Sequence, residues 1–161
     1  MNLLDALRRD LAYNAWANRE TLQSLLEARA VPQRAGAVMA HIVAAEWLWL
    51  ARLGLESPLS GVWPAFNLDE CATHLQKLGQ VWQGYLDDLH LPGLDREIQY
   101  TNSKGEAWTS AVSDVLTHIV SHGAYHRGQI ATLLGSAGEK AAYSDYIEWA
   151  RRKYDNCGWP T

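Results

Sequence analysis

The sequence predicts an all-α protein: a four-helix bundle with a short extended or hairpin excursion between helices three and four and a short C-terminal helix. Four long segments repeat apolar residues at the helical period of about 3.6, and breaker residues separate these segments. The stretch before the fourth segment loses this period and surrounds a polar turn with strand-favouring residues. Because the 161 residues contain no internal repeat and no low-complexity segment, we expect one domain over residues 1–161.

The first two helices have recognisable ends. Asn2 is the expected N-cap of helix one, because its side chain can accept a hydrogen bond from a free backbone N–H in the first turn. The helix is predicted over residues 3–28, and the segment 30–32 (AVP) stops it. A second helix is expected to follow as far as about residue 54.

The third helix is expected to begin after a breaker-rich loop at residues 58–64, with Asn67 in its capping segment. The Pro–Gly pair at residues 92–93 should end it. Residues 97–100 and 107–108 flank the turn segment 101–105 (TNSKG), which predicts the hairpin.

Helix four is expected to be capped by Thr109 or Ser110 and to end at residues 135–138, where two glycines stand. A short C-terminal helix should open at residues 144–145 and run to about residue 152, and the tail to residue 161 is expected to be irregular.

Composition excludes several classes of function. The chain has 14 basic and 18 acidic residues, a net charge of −4, and no basic cluster, so nucleic-acid binding is not expected. No apolar run approaches the roughly 18 residues of a membrane span, and no signal peptide is recognisable, so we expect no membrane association. The two cysteines form no CxxC pair, which fits a reducing cytoplasm.

Three of the six histidines, His118, His122 and His126, stand at four-residue intervals in helix four. Residues four apart lie on one helix face and can share an ion, but His118 and His126 are about 12 Å apart along the axis, so three on one helix cannot. His122 and His126 share the apolar face of Ile119 and Ile130. We therefore predict that His122 and His126 form the ligand pair and that another helix supplies the third ligand.

The alternative for this pair is two hydrogen-bonded structural histidines. His41, beside the apolar stripe of helix two, would by itself also be interpreted as structural. His118 is expected to hydrogen-bond to an inner group rather than to ligate, and His74 and His90 are expected to be solvated.

Four further residues are candidates for supporting roles. Glu46 turns about 140° away from the direction of His41 and is a doubtful ligand. Arg127 is expected to fix helix four through a carboxylate, with recognition of an anionic substrate as the alternative. Gly123 and Gly128 should permit close helix packing. Eight tryptophans against one phenylalanine indicate either an indole-rich core or a pocket wall, for which Trp16 and Trp47 are candidates.

Three segments carry a resemblance to a known family: residues 13–18 (YNAWAN), 41–46 (HIVAAE) and 118–130 (HIVSHGAYHRGQI). Together they resemble the DinB family of damage-inducible proteins. The resemblance implies a four-helix bundle in which His41, His122 and His126 hold a divalent metal ion. It also implies a homodimer, and a relation to enzymes that transfer low-molecular-weight thiols such as bacillithiol, mycothiol or glutathione.

Three neutral imidazoles would leave a divalent ion its full charge and open positions for water or substrate. The leading hypothesis is a metal-dependent enzyme that transfers a small thiol to an electrophile. The alternatives are a metal-dependent hydrolase and a non-catalytic metal-binding stress-response protein. Zinc or nickel is the expected ion, with iron or manganese as alternatives. The chain has no HExxH, GxSxG or phosphate-loop motif.

Overall fold

The computed structural model describes residues 1–59 and 61–152. It contains five α-helices and one antiparallel hairpin, as predicted. The elements are α1 (Leu3–Glu27), α2 (Gln33–Arg52), α3 (Leu68–Asp88), β1 (Glu97–Thr101), β2 (Ala107–Ala111), α4 (Val112–Ser136) and α5 (Tyr146–Arg151), with a 3-10 helix at Leu91–Asp95 between α3 and β1. The predicted irregular tail at residues 153–161 lies outside the described residues.

The four long helices form a bundle in which α1 and α2 each pack against both α3 and α4. The main core lies between them and is aliphatic for the most part. A smaller cluster of Tyr13, Trp16, Ala17 and Trp149 attaches α5 to α1. In the part of the chain that the structure describes, no helix has the length and apolar character needed to cross a membrane.

Both predicted asparagine caps are confirmed. The side chain of Asn2 accepts from the Asp5 backbone N–H at 2.9 Å, and the Asp5 carboxylate accepts from the Asn2 N–H at 3.3 Å. Asn67 and Glu70 make the same reciprocal pair at 2.9 and 2.8 Å. Each pair satisfies two backbone donors that a helix start leaves without partners.

The predicted cap of helix four is wrong. Thr109 and Ser110 lie in β2, where they pair with Gln99 and Ile98, and Ala111 precedes the helix without a side-chain cap. The hairpin uses the backbone of these two residues, and the N–H of Val112 donates to the carbonyl of a residue beside β1, Arg96, at 3.0 Å. Strand pairing therefore satisfies the Val112 N–H, one of the donors that a cap at Thr109 or Ser110 would have served.

Candidate metal centre

Three histidines from two facing helices meet on one side of the bundle. His41 comes from α2, and His122 and His126 come from consecutive turns of α4. One ring nitrogen from each lies within 4.8 Å of the others. The ring centres are 5.1 Å apart for His41 and His122, 4.7 Å for His41 and His126, and 4.4 Å for His122 and His126. This spacing is that of ligands converging on one ion, and a metal ion could be held here.

Hydrogen bonds orient two of these rings. His41 Nδ1 donates to the backbone carbonyl of Val62 at 2.6 Å, and His126 Nδ1 donates to Gln129 Oε1 at 2.9 Å. Because both partners are acceptors, each Nδ1 carries the proton and each Nε2 keeps its lone pair. Metal-ligating histidines commonly have this arrangement, in which a second partner fixes the tautomer.

The surroundings of His41 and His122 favour the neutral form of both rings before any ion binds. Burial, together with the like charges of the neighbouring His126, His41 and His118, lowers the pKa of His122 to about 3. Burial also lowers the pKa of His41, against the opposing effect of its bond to Val62. Neutral imidazoles are the form that binds metal, so these two rings fit a divalent ion near neutral pH.

The aromatic wall of the site comes from a tryptophan that sequence reasoning missed. Trp63, in the loop between α2 and α3, stacks on His41 with ring centres 4.0 Å apart and an interplanar angle of 9°. The guanidinium of Arg34, in the first turn of α2, lies 4.8 Å from the centre of the Trp63 ring. Nothing in the local pattern of residues 58–64 signals this stacking, because it depends on how the loop folds back over α2.

The predicted walls were wrong. Trp16 packs in the separate cluster with Tyr13 and Trp149. Trp47 is buried and donates from Nε1 to His74 Nδ1 at 3.2 Å. His74 is therefore not simply solvated as expected: it is half-buried, and its ring stacks on Phe66 with centres 4.6 Å apart.

The other histidines follow the predictions more closely. His90 is exposed, as expected. His118 is outside the group of three converging nitrogens. Its ring centre lies 5.4 Å from that of His122 and 5.1 Å from that of Trp49. The hydrogen-bonding role expected for His118 stays a prediction.

A buried polar network lies beside the histidines, and its members were only partly foreseen. The Glu46 carboxylate accepts hydrogen bonds from Asn14 and Asn18 through Oε1 at 2.9 and 2.8 Å, and from Trp82 Nε1 through Oε2 at 2.9 Å. Arg127 Nη1 donates to Oδ1 of both asparagines at 2.7 Å. The network joins all four long helices, and Glu46 belongs to it rather than to the three-histidine group.

Arg127 thus fixes α4 as expected, but two asparagine side chains stand between it and the carboxylate. Burial raises the pKa of Glu46, and the donors Trp82 and Asn14 together with the Arg127 charge oppose this rise. The sequence signal that could have revealed the network is the pair Asn14 and Asn18, two amides four residues apart on an otherwise apolar helix face.

Gly123 and Gly128 of α4 differ in their surroundings. A Cβ at Gly123 would clash with Asn14 Oδ1 and would lie 2.7 Å from Arg127 Nη1, so the polar network depends on the missing side chain. A Cβ at Gly128 would meet nothing within 4 Å. The packing role predicted for Gly123 is confirmed, and the one predicted for Gly128 is wrong.

The fold and the site together define a class: helical-bundle proteins whose facing helices bring together histidines able to hold a metal ion. The sequence model of the DinB family matches residues 3–156, and the chain belongs to that family. It is 26% identical over 152 residues to Protein DinB of Bacillus subtilis (strain 168), with 83% of this chain and 87% of that protein covered. No solved structure matches the chain. Family membership and the histidine group are both compatible with metal binding.

Proposed function

We propose that the protein is a metal-dependent enzyme that transfers a low-molecular-weight thiol to an electrophile, with His41, His122 and His126 as the metal ligands. The observation that carries the proposal is the convergence of three ring nitrogens within 4.8 Å. The donor bonds from Nδ1 of His41 and His126 support it, because they leave Nε2 of both rings with a lone pair. Zinc or nickel suits such a donor set best.

When bound, a divalent ion would lower the pKa of a coordinated thiol so that the thiolate is available near neutral pH. The protein's own residues supply the rest. Val62 and Gln129 hold two rings in place, and Trp63 covers one face of His41 and keeps water from it. His122 and His126 are half-buried, so the side of the group formed by α4 stays accessible to a small molecule.

The hydrolase alternative finds no general base in Glu46, the acidic residue of α2. Both Glu46 oxygens accept hydrogen bonds in the core from Asn14, Asn18 and Trp82. A hydrolase here would therefore have to rely on hydroxide formed at the ion, and thiol binding is the property that separates that alternative from thiol transfer.

The test is thiol binding to the cobalt-substituted protein. Glutathione, bacillithiol and mycothiol would be titrated in turn at concentrations up to about millimolar. We expect at least one of them to produce a sulfur-to-cobalt charge-transfer band and to release a proton. The His126→Ala protein should lose the band, and the His90→Ala protein, altered at an exposed histidine, should retain it.

No band with any of the three thiols would exclude the transferase and leave the hydrolase and the non-catalytic metal-binding protein. Elemental analysis of protein purified without added metal would identify the ion. Sedimentation would test the homodimer, which stays a prediction.

A further inference from the structure

A second cluster of side chains adjoins the histidine group at His118, one turn before His122 on α4. Its members are Trp49 and Arg52 of α2, Tyr100 of β1 and His118 of α4, and we call it the Arg52 subsite. The Arg52 guanidinium carbon lies 4.4 Å from the ring centres of both Trp49 and Tyr100. Trp49 and Tyr100 contact each other edge to face with centres 5.1 Å apart. The guanidinium therefore lies in the angle between two aromatic rings.

Arg52 is a cation without an anionic partner among residues 1–59 and 61–152. Its one hydrogen bond there is from Nη2 to the Thr101 carbonyl at 3.1 Å, and no described carboxylate forms a salt bridge with it. A guanidinium has five N–H donors, so most of its donor capacity is unused. Burial lowers the pKa of Arg52, which means that the group is partly removed from water without a compensating negative charge.

The subsite is continuous with the histidine group. The His118 ring centre is 5.4 Å from that of His122 and 5.1 Å from that of Trp49. The Arg52 guanidinium carbon in turn lies 4.4 Å from the Trp49 ring centre. His118 is exposed and Trp49, Arg52 and Tyr100 are half-buried, so these contacts line a path on the surface. These steps place the Arg52 guanidinium at most about 15 Å from the His122 ring. A ligand of about tripeptide size, roughly 10 Å when extended, reaches across this gap when the bonds at its two ends are added, a metal–sulfur bond of about 2.3 Å and a hydrogen bond of about 3 Å.

Electrostatics favour an anionic occupant. The chain as a whole carries a net charge of −4 and repels anions at long range. At this place, however, Arg52 adds a positive charge to that of any ion held by the histidines. A planar guanidinium matches a carboxylate with two parallel hydrogen bonds, and the two rings beside it restrict its orientation in advance.

We propose that Arg52 binds a carboxylate of the same small molecule whose other end binds at His41, His122 and His126. The substrate class is then an anionic thiol, and Arg52 is the residue that selects for the charge. This inference rests on the proposed function for one point, that the end of the molecule bound at the histidines is a thiol. The carboxylate contact at Arg52 does not depend on it.

The experiment compares glutathione with its dimethyl ester, in which both carboxylates are neutralised, on the cobalt-substituted protein. We expect the dissociation constant for glutathione to be at least tenfold lower than for the ester, the size of effect expected from a charge-assisted hydrogen bond. The Arg52→Gln protein should bind both compounds as weakly as the unaltered protein binds the ester. Arg52→Lys should restore part of the preference, because charge remains and the bidentate fork is lost.

Two controls distinguish a loss of carboxylate recognition from general damage to the protein. All variants should hold the same amount of cobalt, because Arg52 is not among the converging ligands. Arg29→Gln, at a side chain that is 84% exposed, should leave the preference for glutathione unchanged. A preference that survives Arg52→Gln, or equal binding of glutathione and its ester to the unaltered protein, would overturn the proposal.

A parallel calorimetric titration with glutarate and monomethyl glutarate distinguishes failure of the proposed transferase from failure of the Arg52 subsite. If no thiol gives a charge-transfer band but glutarate binds more tightly than its monoester in an Arg52-dependent manner, the transferase fails and the Arg52 subsite stands. If thiols bind and neither probe pair depends on Arg52, the transferase stands and the subsite fails. If neither thiols nor glutarate bind, both are overturned.

Discussion

Glu46 and Arg127, two buried and oppositely charged side chains, are bridged by the amide of Asn14. The amide donates to the Glu46 carboxylate at 2.9 Å and accepts from Arg127 Nη1 at 2.7 Å. Glu46 follows His41 on α2 by five residues, and Arg127 directly follows His126 on α4. The bridge therefore sets the relative position of the two helices that supply the three histidines.

Replacing Glu46 by alanine should destabilise the protein by about 3–5 kcal/mol, because it leaves Arg127 as a buried charge without a counter-charge. The free energy of unfolding from urea denaturation measures this. Glu56→Ala, at an exposed carboxylate, is the matched control and should change stability by less than about 0.5 kcal/mol. A loss of similar size in both variants would contradict a structural role for the bridge.

Gly123 and Gly128 of α4 should respond in opposite directions to replacement by alanine. Gly123→Ala forces a methyl group against Asn14 and Arg127 and should cost about 1–3 kcal/mol. Gly128→Ala adds a methyl group in open space and should stabilise the helix by up to about 1 kcal/mol. Thermal unfolding of the two variants side by side tests both. Equal effects would show that the contact at Gly123 does not constrain packing.

Loss of any one of His41, His122 or His126 should reduce metal affinity at least tenfold, because each supplies one of three converging nitrogens. Equilibrium dialysis with elemental analysis measures the affinity. His90→Ala is the control, since His90 is exposed, whereas His74→Ala is unsuitable because His74 accepts a hydrogen bond from Trp47. Full occupancy in the His122→Ala protein would disprove the assignment.

The metal-free protein should lose stability as the pH falls from about 6.5 toward about 3. The pKa of His122 is lowered from 6.5 to about 3 in the folded protein, so the unfolded chain binds more protons throughout this window. The stability associated with neutral His122 is complete above 6.5 and is lost through protonation below it. Melting temperatures at stepped pH should fall less steeply for His122→Gln. Parallel curves for the two proteins would show that His122 is not responsible.

Chelation should lower the melting temperature without unfolding the protein at 25 °C. An ion that binds only the folded chain stabilises it by about 2.7 kcal/mol at a hundredfold excess over its dissociation constant. The main core does not include the three histidines, so the helices should persist without metal. Circular dichroism with and without chelator measures this. Loss of the helical signal at 25 °C would instead identify a structural ion.

Local patterns were enough to predict the features that depend on neighbours in sequence. The caps at Asn2 and Asn67 and the placement of His122 and His126 on one side of α4 all follow from spacings of three or four residues. The prediction for the cap of α4 was wrong because Thr109 and Ser110 also suit a strand. Their position before the helix does not show whether the strand or the helix cap is the more favourable conformation.

Features that depend on distant contacts could not be predicted in the same way. The Arg127 bonds to Asn14 and Asn18 span 113 and 109 residues of chain. The stacking of Trp63 on His41 depends on the path of a loop and not on helical spacing. His41 itself was identified through the family resemblance, because one histidine beside an apolar stripe is ordinarily structural.

The hydrogen bond from His41 to Val62 joins a candidate metal ligand to a loop 21 residues away. Coupling free energies are equal in both directions. If the ordered loop increases metal affinity by a given factor, a bound ion favours the ordered conformation of the loop by the same factor. Occupancy of the centre and order of the Trp63 loop are then thermodynamically coupled. A substitution that loosens the loop would weaken metal binding without touching a ligand, and the ion in turn would act as an allosteric effector of the loop that covers it.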